Sequence, residues 1–127
     1  MRTAEHMISI VDAYVAAFEA GSVDRVVELY AEGATVEDPI GAPIITGLDA
    51  IRAFYAGSMA TGARLELYPP VRIAGDYAAF SFSVHLRYGG HVQRIDVIDT
   101  FKFDPDGKII EMRAYWGETN MTEYQEE

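Results

Sequence analysis

The sequence predicts one α+β domain in which three helices from the N-terminal half pack against a curved, mostly antiparallel sheet. Two observations lead to this prediction. Apolar residues recur at helical spacing in the first half of the chain, whereas in the second half they alternate with polar residues, as strands do. A chain of 127 residues also suits a single core, and helices followed by antiparallel strands are typical of the α+β class.

Three helices are predicted. The first lies between an N-cap at Thr3 and a glycine stop at Gly21. Its apolar residues share one face, and they are Met7, Ile10, Val11, Tyr14, Val15 and Phe18. The second helix is predicted over about residues 23–30 and the third over about residues 48–59, each with apolar residues at helical spacing.

The remaining segments are predicted to be extended. Residues 34–46 contain prolines and a glycine that disfavour a regular central strand. Strands are predicted near residues 64–73, 77–88, 91–103 and 108–117. Gly89-Gly90 and residues 104–107 have the composition of hairpin turns, so the four strands should form an antiparallel sheet.

The composition limits the partners and the compartment. Twenty acidic and ten basic side chains give a net charge of −10, which repels nucleic-acid phosphates and anionic membranes. The absence of cysteine excludes disulfides and thiolate metal sites, and the three histidines are not clustered, so no metal and no cofactor are predicted. The charged residues near the N-terminus and the lack of a long hydrophobic run predict a soluble, cytoplasmic protein.

Asp99 interrupts the apolar face of the third predicted strand. The residues that share this face are Ile95, Val97, Phe101 and Phe103. Ionisation is costly among hydrocarbon side chains, so we expect a raised pKa and a neutral carboxyl group that can donate a hydrogen bond. The structural alternative is a salt bridge with an arginine such as Arg94 or Arg113.

Two further polar side chains are predicted to face inward. Tyr14 lies on the apolar face of the first helix, where its hydroxyl group needs a partner. Asp38 has the same parity as Val36 in its extended segment. With Asp99, these residues supply what enolisation requires, a carboxylate that takes a proton and neutral donors where negative oxygen develops. Taken singly, Tyr14 is also typical of a core residue and Asp38 of a turn before proline.

The last predicted strand directs a large aromatic residue inward near its end. The residues that share its inner face are Ile110, Met112, Ala114 and Trp116. Trp116 is therefore predicted either to line a cavity or to fill the core.

Together these residues resemble the motifs of the bacterial steroid delta-isomerases, or ketosteroid isomerases. The matching segments are Tyr14, Thr35-Val36-Glu37-Asp38-Pro39, Val97-Ile98-Asp99 and Met112-Arg113-Ala114-Tyr115-Trp116. The similarity extends over about residues 5–120. It implies the cone-shaped fold of nuclear transport factor 2 (an NTF2-like, cystatin-like or SnoaL-like fold), with three helices and a curved sheet around a deep apolar pocket.

The resemblance also implies an activity, the cofactor-independent isomerisation of 3-oxo-Δ5-steroids to conjugated 3-oxo-Δ4-steroids. Asp38 would remove a proton beside the ketone and return it two carbons farther along. Tyr14 and neutral Asp99 would donate hydrogen bonds to the dienolate oxygen. By the same resemblance, Tyr30 and Tyr55 would extend a tyrosine network behind this oxyanion hole.

Partners and pocket residues are implied in the same way. The steroid slot would be lined by Trp116, Phe54, Phe82, Val84, Phe101 and Met112. A homodimer is expected through the exposed face of the sheet, which should carry Tyr77, Ala79, Ile109 and Tyr115. Residues 121–127 match nothing distinctive and are predicted to be an exposed acidic tail of the single domain, 1–127.

Two other functional hypotheses are consistent with the sequence. One is another enzyme on the same fold, such as a polyketide cyclase or an epoxide hydrolase, although hydrolase sites need several polar groups to hold a water and few are predicted inside this chain. The other is a non-catalytic ligand-binding or association module, which has no reason to bury Tyr14, Asp38 and Asp99 together.

Overall fold

The structure, a computed structural model, describes residues 2–88 and 90–125. The helices are α1 (Ala4–Ala20), α2 (Val23–Val27) and α3 (Leu48–Ala60). The strands are β1 (Tyr30–Glu37), β2 (Ile45–Thr46), β3 (Arg64–Ala74), β4 (Tyr77–Tyr88), β5 (His91–Phe103), β6 (Ile109–Tyr115) and β7 (Met121–Gln125), with a 3₁₀ turn at Glu118–Asn120. The α+β prediction is confirmed, and the long strands begin and end within two residues of their predicted bounds.

The strands form one curved, mixed sheet in the order β2-β1-β6-β5-β4-β3. Only β1 and β6 pair in parallel, and the other pairs described are antiparallel. Strand β5 is central, because β4 pairs along its whole length on one side. On its other side β7 pairs with residues 91–95 and β6 with residues 98–103. The side chains on the inner face of β5 therefore lie near the centre of the sheet.

The helices begin and end where capping chemistry predicts. The Thr3 side chain accepts a hydrogen bond from the His6 amide at 3.0 Å at the start of α1, and Gly21 ends that helix in the left-handed conformation. Ser22 caps α2 by accepting from the Arg25 amide at 3.2 Å. Helix α1 lies against β3 and α2, and α3 lies against β1 and α2, so the helices cover one face of the sheet.

The core between helices and sheet is rich in aromatic rings. Phe101 on β5 meets Tyr14 of α1 edge-on with ring centroids 5.1 Å apart, and it meets Phe80 of β4 at 4.9 Å. Phe18 and Tyr55 extend the cluster toward α3, with centroids 5.9 Å apart. Buried edge-to-face pairs of this kind add to the free energy gained from burial alone, and they hold Tyr14 and Tyr55 in fixed positions.

The second helix is shorter than predicted. It ends at Val27, and Tyr30, predicted as its last residue, begins β1 instead. Tyr30 pairs with Ile109 of β6, and the Ile109 amide donates to the Leu29 carbonyl at 2.9 Å. Pairing with a distant strand thus outweighs the local helical pattern.

The prediction for the inner face of β6 is wrong at its first residues. Lys102 pairs with Glu111 but the next β5 residue, Phe103, pairs with Ile109, so Ile110 is an extra residue in a β-bulge. The bulge turns Ile109 into the core, where it is fully buried. Ile109 therefore cannot belong to the exposed face on which it was predicted.

Residues 121–125 are not an unstructured tail. They form β7, whose register places Met121 opposite Ile95 and Gln125 opposite His91. The side chains of residues 121–123 are exposed, which is why their composition resembles a tail. Residues 126–127 of the predicted tail and Gly89 of the predicted Gly89-Gly90 turn lie outside the described residues.

The outer face of the sheet carries exposed apolar residues beside a polar network. Tyr77, Ile98 and Tyr115 are exposed by 40%, 50% and 44%. Nearby, Ser83 is fully buried although it faces outward, since its hydroxyl group donates to Asp96 at 2.6 Å and contacts the Tyr68 hydroxyl at 2.8 Å. Within the described residues, the structure has no helix with the length and apolar character that crossing a membrane requires.

Candidate active site

A cavity of about 240 Å³ lies between the helices and the inner face of the sheet. It is lined by Tyr14, Phe18, Asp38, Phe54, Tyr55, Ser58, Thr61, Ala63, Leu65, Phe82, Val84, Leu86, Ile95, Val97, Asp99 and Trp116. Most of these side chains are apolar. The ionisable side chains are those of two aspartates and two tyrosines, so the chemistry of the cavity depends on the protonation states of these four groups.

Asp38 is held at the end of β1 by contacts to the end of β6. Strand pairing sets Glu37 opposite Arg113, and two residues beyond Asp38 the Ile40 amide donates to the Ala114 carbonyl at 2.9 Å. The Trp116 indole Nε1 then donates to Asp38 Oδ1 at 2.7 Å. This hydrogen bond fixes the carboxyl group at the cavity wall.

Two opposing effects act on the pKa of Asp38. Burial in the cavity wall raises it, because the charged form loses hydration, and the hydrogen bond from Trp116 lowers it by stabilising the carboxylate. Burial is the larger effect, so the pKa is raised from the ordinary value. A carboxylate with a raised pKa is a stronger proton acceptor than an exposed one.

Asp99 lies in the middle of the sheet, paired with Phe80 of β4 and Ala114 of β6. Its side chain is 1% exposed, and its Oδ1 is buried with no hydrogen-bond partner among the described residues. Burial raises its pKa well above the ordinary range, and the negative charge of Asp38 raises it further. Asp99 is therefore the group that keeps its proton when Asp38 is charged.

The salt bridge considered for Asp99 is wrong. Arg94 contacts Asp96 at 2.9 Å, and Arg113 contacts Glu111 at 3.4 Å. Both arginines face outward, because they have the opposite parity from the buried residues of their strands. Because neither arginine contacts Asp99, the neutral acid is the state of this buried side chain with the lower free energy.

Three buried tyrosines form a chain of hydrogen bonds behind the cavity. The Tyr14 and Tyr55 hydroxyl oxygens are 3.0 Å apart, and those of Tyr55 and Tyr30 are 2.6 Å apart. The pKa of each of the three hydroxyl groups lies well above the ordinary value for tyrosine, and burial is the main cause. All three hydroxyl groups therefore stay protonated and can donate. Tyr14 and Tyr55 line the cavity, whereas Tyr30 lies behind it.

The predicted wall residues divide into two groups. Phe54, Phe82, Val84 and Trp116 line the cavity. Phe101 and Met112 do not, because both are fully buried in the core behind the wall. Phe101 packs against the ring of Tyr14 instead. The alternation of side chains along a strand shows which residues face inward. It does not distinguish those that line the cavity from those that are buried behind it.

Several lining residues were missed by the sequence analysis. Leu65, Leu86, Ile95 and Val97 point inward from β3, β4 and β5, and strand alternation could have found them. Ser58 and Thr61 also line the cavity. No sequence signal marks these two, since polar residues at the end of a helix are ordinarily solvated.

No group of three or more His, Asp or Glu side chains in residues 2–88 and 90–125 is arranged to hold a metal ion. The lining of the cavity combines Asp38, whose pKa is raised, with Asp99, whose pKa is raised well above the ordinary value, and with the hydroxyl groups of Tyr14 and Tyr55. Such a set can accept a proton at one atom and donate hydrogen bonds at another.

Comparison with known proteins agrees with this fold. Residues 11–112 match the model of the SnoaL-like domain. A steroid delta-isomerase from Nocardioides simplex is 39% identical over 108 residues, which cover 85% of this chain and 87% of that protein. The epoxide hydrolase LasB from Streptomyces lasalocidi is 31% identical over 126 residues, and the match covers 80% of this chain and 44% of that longer protein.

A solved structure shows the same architecture. SalBIII, described as an epoxide hydrolase/cyclase-like enzyme with a role in pyran ring formation in the polyether salinomycin, superposes with a TM-score of 0.91. Its sequence is 26% identical, and the match covers 98% of this chain and all of that one.

Fold and sequence thus define a class of α+β enzymes in which three helices and a curved sheet enclose a deep cavity. The chain belongs to the SnoaL-like family. Within that family, the identity to the Nocardioides protein over most of both chains confirms the resemblance to ketosteroid isomerases that the sequence motifs predicted.

Proposed function

We propose that this protein is a steroid Δ-isomerase that converts 3-oxo-Δ5-steroids to conjugated 3-oxo-Δ4-steroids without a cofactor. The observation that carries the proposal is the pair of aspartates on one apolar cavity. Asp38 accepts a hydrogen bond from Trp116 and can ionise, whereas Asp99 is buried, has no partner for Oδ1 in the part of the chain that the structure describes, and stays neutral. The 39% identical steroid delta-isomerase supports this choice of reaction.

The first step is proton abstraction. The Asp38 carboxylate accepts the proton from the carbon between the ketone and the double bond, and the electron pair of that C–H bond moves toward the ketone oxygen. A dienolate forms and Asp38 becomes neutral. The raised pKa of Asp38 assists this step, since general bases are most effective when their pKa lies near the working pH.

The negative oxygen of the dienolate is stabilised by Asp99 and Tyr14. Both are neutral donors in an apolar cavity, where a hydrogen bond to a developing charge is stronger than in water. Tyr55 and Tyr30 support Tyr14, because each hydroxyl group can donate to the next oxygen along the chain. The stabilisation thus increases as the charge develops, which lowers the barrier.

The second step returns the proton. Neutral Asp38 gives it to the carbon two positions farther along, the double bond moves into conjugation with the ketone, and the carboxylate is regenerated. The overall reaction moves one proton and one double bond and needs no other reactant. The hydrogen bond from Trp116 keeps Asp38 oriented in both steps, because the charged and the neutral carboxyl group can each accept it.

Epoxide opening is the second candidate function, favoured by the similarity to LasB and SalBIII. The same pair could serve it, with Asp38 taking a proton from an attacking hydroxyl group while Asp99 donates its proton to the epoxide oxygen. Hydrolysis also needs a water held in place by polar groups. Apart from the four ionisable residues and Trp116, the polar lining consists of Ser58 and Thr61, which favours isomerisation.

The decisive test is to mix the purified protein with a 5-ene-3-ketosteroid and follow the ultraviolet absorbance of the conjugated product. Rapid growth of the absorbance supports the proposal. A parallel reaction with an epoxide substrate, analysed for diol or ring product, tests the alternative. Epoxide turnover with no isomerisation would overturn the proposal in favour of the second candidate.

We also propose that the protein is a homodimer. The outer face of the sheet presents Tyr77, Ile98 and Tyr115 as its exposed apolar residues. Charges of both signs surround them, including Arg113 and Glu111. A face with apolar residues and mixed charges suits the self-complementary contact of a two-fold dimer.

A further inference from the structure

The backbone is held to β6 on both sides of Asp38. Before Asp38, the parallel pairing of β1 with β6 sets Glu37 opposite Arg113. After it, the Ile40 amide donates to the Ala114 carbonyl at 2.9 Å. Only two residues separate Glu37 from Ile40 in the sequence. The direction of the Asp38 side chain therefore depends on the shape of this short bend.

The side chain of Glu37 closes the bend. Its Oε2 accepts a hydrogen bond from the Gly41 amide at 2.8 Å. Gly41 has a φ of +96°, a conformation that glycine adopts readily and other residues rarely adopt. Hydrogen bonds to a carboxylate are about twice as strong as those between neutral groups. The contact thus joins the last residue of β1 to the far end of the bend that carries Asp38.

Glu37 itself lies outside the cavity. Successive side chains of a strand point to opposite faces, so Val36 is fully buried on the inner face whereas Glu37 points outward. On the outer face the pKa of Arg113 is raised mainly by Glu111, and Glu37 contributes to this rise. The positive charge of Arg113 therefore attracts the Glu37 carboxylate. Any effect of Glu37 on a bound ligand has to pass through Asp38.

We propose that Glu37 is a positioning residue, which sets the Asp38 carboxyl group where it accepts the hydrogen bond from Trp116 and meets the ligand. The proposal rests on the proposed function for the role of Asp38 as the base. The Trp116 indole holds Asp38 Oδ1 at 2.7 Å in the cavity wall, and Glu37 holds the backbone of the same bend from the outside. Precise placement is needed, because a displacement of about 1 Å can lower the rate of a reaction by about a hundredfold.

The test compares Glu37→Ala with Glu37→Gln. Alanine removes the acceptor for the Gly41 amide, whereas glutamine keeps an acceptor oxygen and removes only the charge. Glu32→Ala is the matched control, because Glu32 is an exposed glutamate of the same strand. Steroid affinity is measured by the fluorescence of Trp116, the only tryptophan of the chain, which lines the cavity.

Glu37→Ala should lower kcat by at least about tenfold and change steroid affinity by less than about twofold, since the base moves and the apolar wall does not. Glu37→Gln and Glu32→Ala should keep nearly the full kcat. A purely structural role of Glu37 would lower the unfolding temperature and leave the kcat of the folded protein unchanged. Equal losses of kcat in Glu37→Gln and Glu37→Ala would also overturn the proposal.

The pH profile separates positioning from a direct effect of charge. The hydrogen bond from Trp116 lowers the pKa of Asp38 against the larger effect of burial, so its loss in Glu37→Ala should move the acidic limb of kcat/KM to higher pH. Loss of a nearby negative charge would move the limb to lower pH, and by the same amount in Glu37→Gln. The other ionisable groups coupled to the charge of Asp38 are the same in both variants, and they are Asp99, Tyr14 and Tyr30.

A measurement that needs no turnover is the proton NMR signal of the Trp116 indole N–H, which donates to Asp38. Glu37→Ala should move this signal upfield, because the hydrogen bond weakens, whereas Glu37→Gln and Glu32→Ala should leave it in place. If the signal moves as expected but the parent protein does not isomerise the steroid, the positioning role stands and the reaction is wrong. If the parent protein isomerises the steroid and Glu37→Ala changes neither the signal nor kcat, the positioning role is wrong and the reaction stands.

Discussion

Two aspartates face the same cavity, and their surroundings raise the pKa of Asp99 more strongly than that of Asp38. Asp38 accepts a hydrogen bond from Trp116 at the cavity wall, whereas Asp99 is 1% exposed in the middle of the sheet. The charge on Asp38 adds to the cost of ionising Asp99. A charged Asp38 therefore favours a neutral Asp99, which is the state that the proposed reaction uses as a hydrogen-bond donor.

Asp99→Leu tests the donor role. The change should lower kcat by about a hundredfold, or about 3 kcal/mol of transition-state stabilisation, because one donor to the developing oxyanion is lost. It should also stabilise the fold at neutral pH. In the parent protein the raised pKa of Asp99 means that unfolding releases a proton, so stability falls as pH rises from near 3.8 toward that raised pKa.

Both effects are measurable, kcat by the absorbance assay and stability by urea unfolding at several pH values. The stability of Asp99→Leu relative to the parent should increase with pH above about 4, where carboxyl groups of the unfolded chain lose their protons. A variant with full kcat and altered stability would make Asp99 a purely structural residue.

Trp116→Phe tests how the base is tuned. The indole hydrogen bond lowers the pKa of Asp38 against the larger effect of burial, so its loss should raise that pKa further. Activity needs the ionised base and falls as pH decreases through its pKa, so the acidic limb of kcat/KM should move to higher pH. An unmoved limb with a changed KM alone would limit Trp116 to substrate contact.

At the scale of single residues, the sequence predicted which polar side chains face inward better than it predicted their hydrogen-bond partners. Asp99 and Tyr14 were predicted to face inward because strand and helix periodicity determines direction. The hydrogen bond between Trp116 and Asp38 was not predicted, since it depends on the parallel pairing of β1 with β6 across most of the chain. Likewise, strand alternation could not show that Met112 lies in the core behind the cavity and does not line it.

Among the elements, β7 makes the clearest addition to the predicted fold. It pairs with residues 91–95 of β5, the strand that continues to Asp99. The sequence did not predict it because its side chains 121–123 are exposed and mostly polar, so it lacks the alternation by which the other strands were recognised. Its contribution is backbone pairing, which composition does not reveal.

Deletion of residues 121–127 should lower the unfolding temperature by at least about 4 °C, because removing five residues of pairing costs more than about 1 kcal/mol. Amide hydrogen exchange at residues 91–95 should become faster. Glu123→Gln is the control, since it removes the exposed His91 contact at 3.2 Å and leaves the strand in place. Equal exchange rates in the deletion variant and the parent would show that β7 does not protect β5.

Element bounds were predictable wherever local pattern and pairing agree. The helix α1, with its caps, and the strands β4 and β5 match their predicted ranges. Predictions failed at Tyr30 and Ile109, which are register partners. At this junction of β1 with β6, a parallel pairing and a bulge between distant segments decide the conformation, and neither leaves a local signal.

For the whole molecule, the proposed dimer is tested by Ile98→Lys. Ile98 is 50% exposed on the outer face and lies beside Tyr115. A lysine there would be buried without a designated partner in the interface. The molar mass in solution, measured by light scattering at several concentrations, should fall from that of a dimer to that of a monomer.

The matched control is Ile44→Lys, because Ile44 is 62% exposed in the segment before β2 and lies off the sheet face. This variant should keep the dimer mass. A parent protein that is monomeric at every concentration, or an Ile98→Lys variant that remains dimeric, would remove the outer face from the proposed assembly.

The central claim is that Asp38 carries the proton, and Asp38→Asn tests it most directly. Asp12→Asn is the control, since Asp12 is exposed on α1, and Trp116 fluorescence reports steroid binding separately from turnover. We expect Asp38→Asn to lower kcat by at least about a hundredfold, with steroid affinity retained and Asp12→Asn unchanged. Full turnover by a folded Asp38→Asn protein would contradict the account.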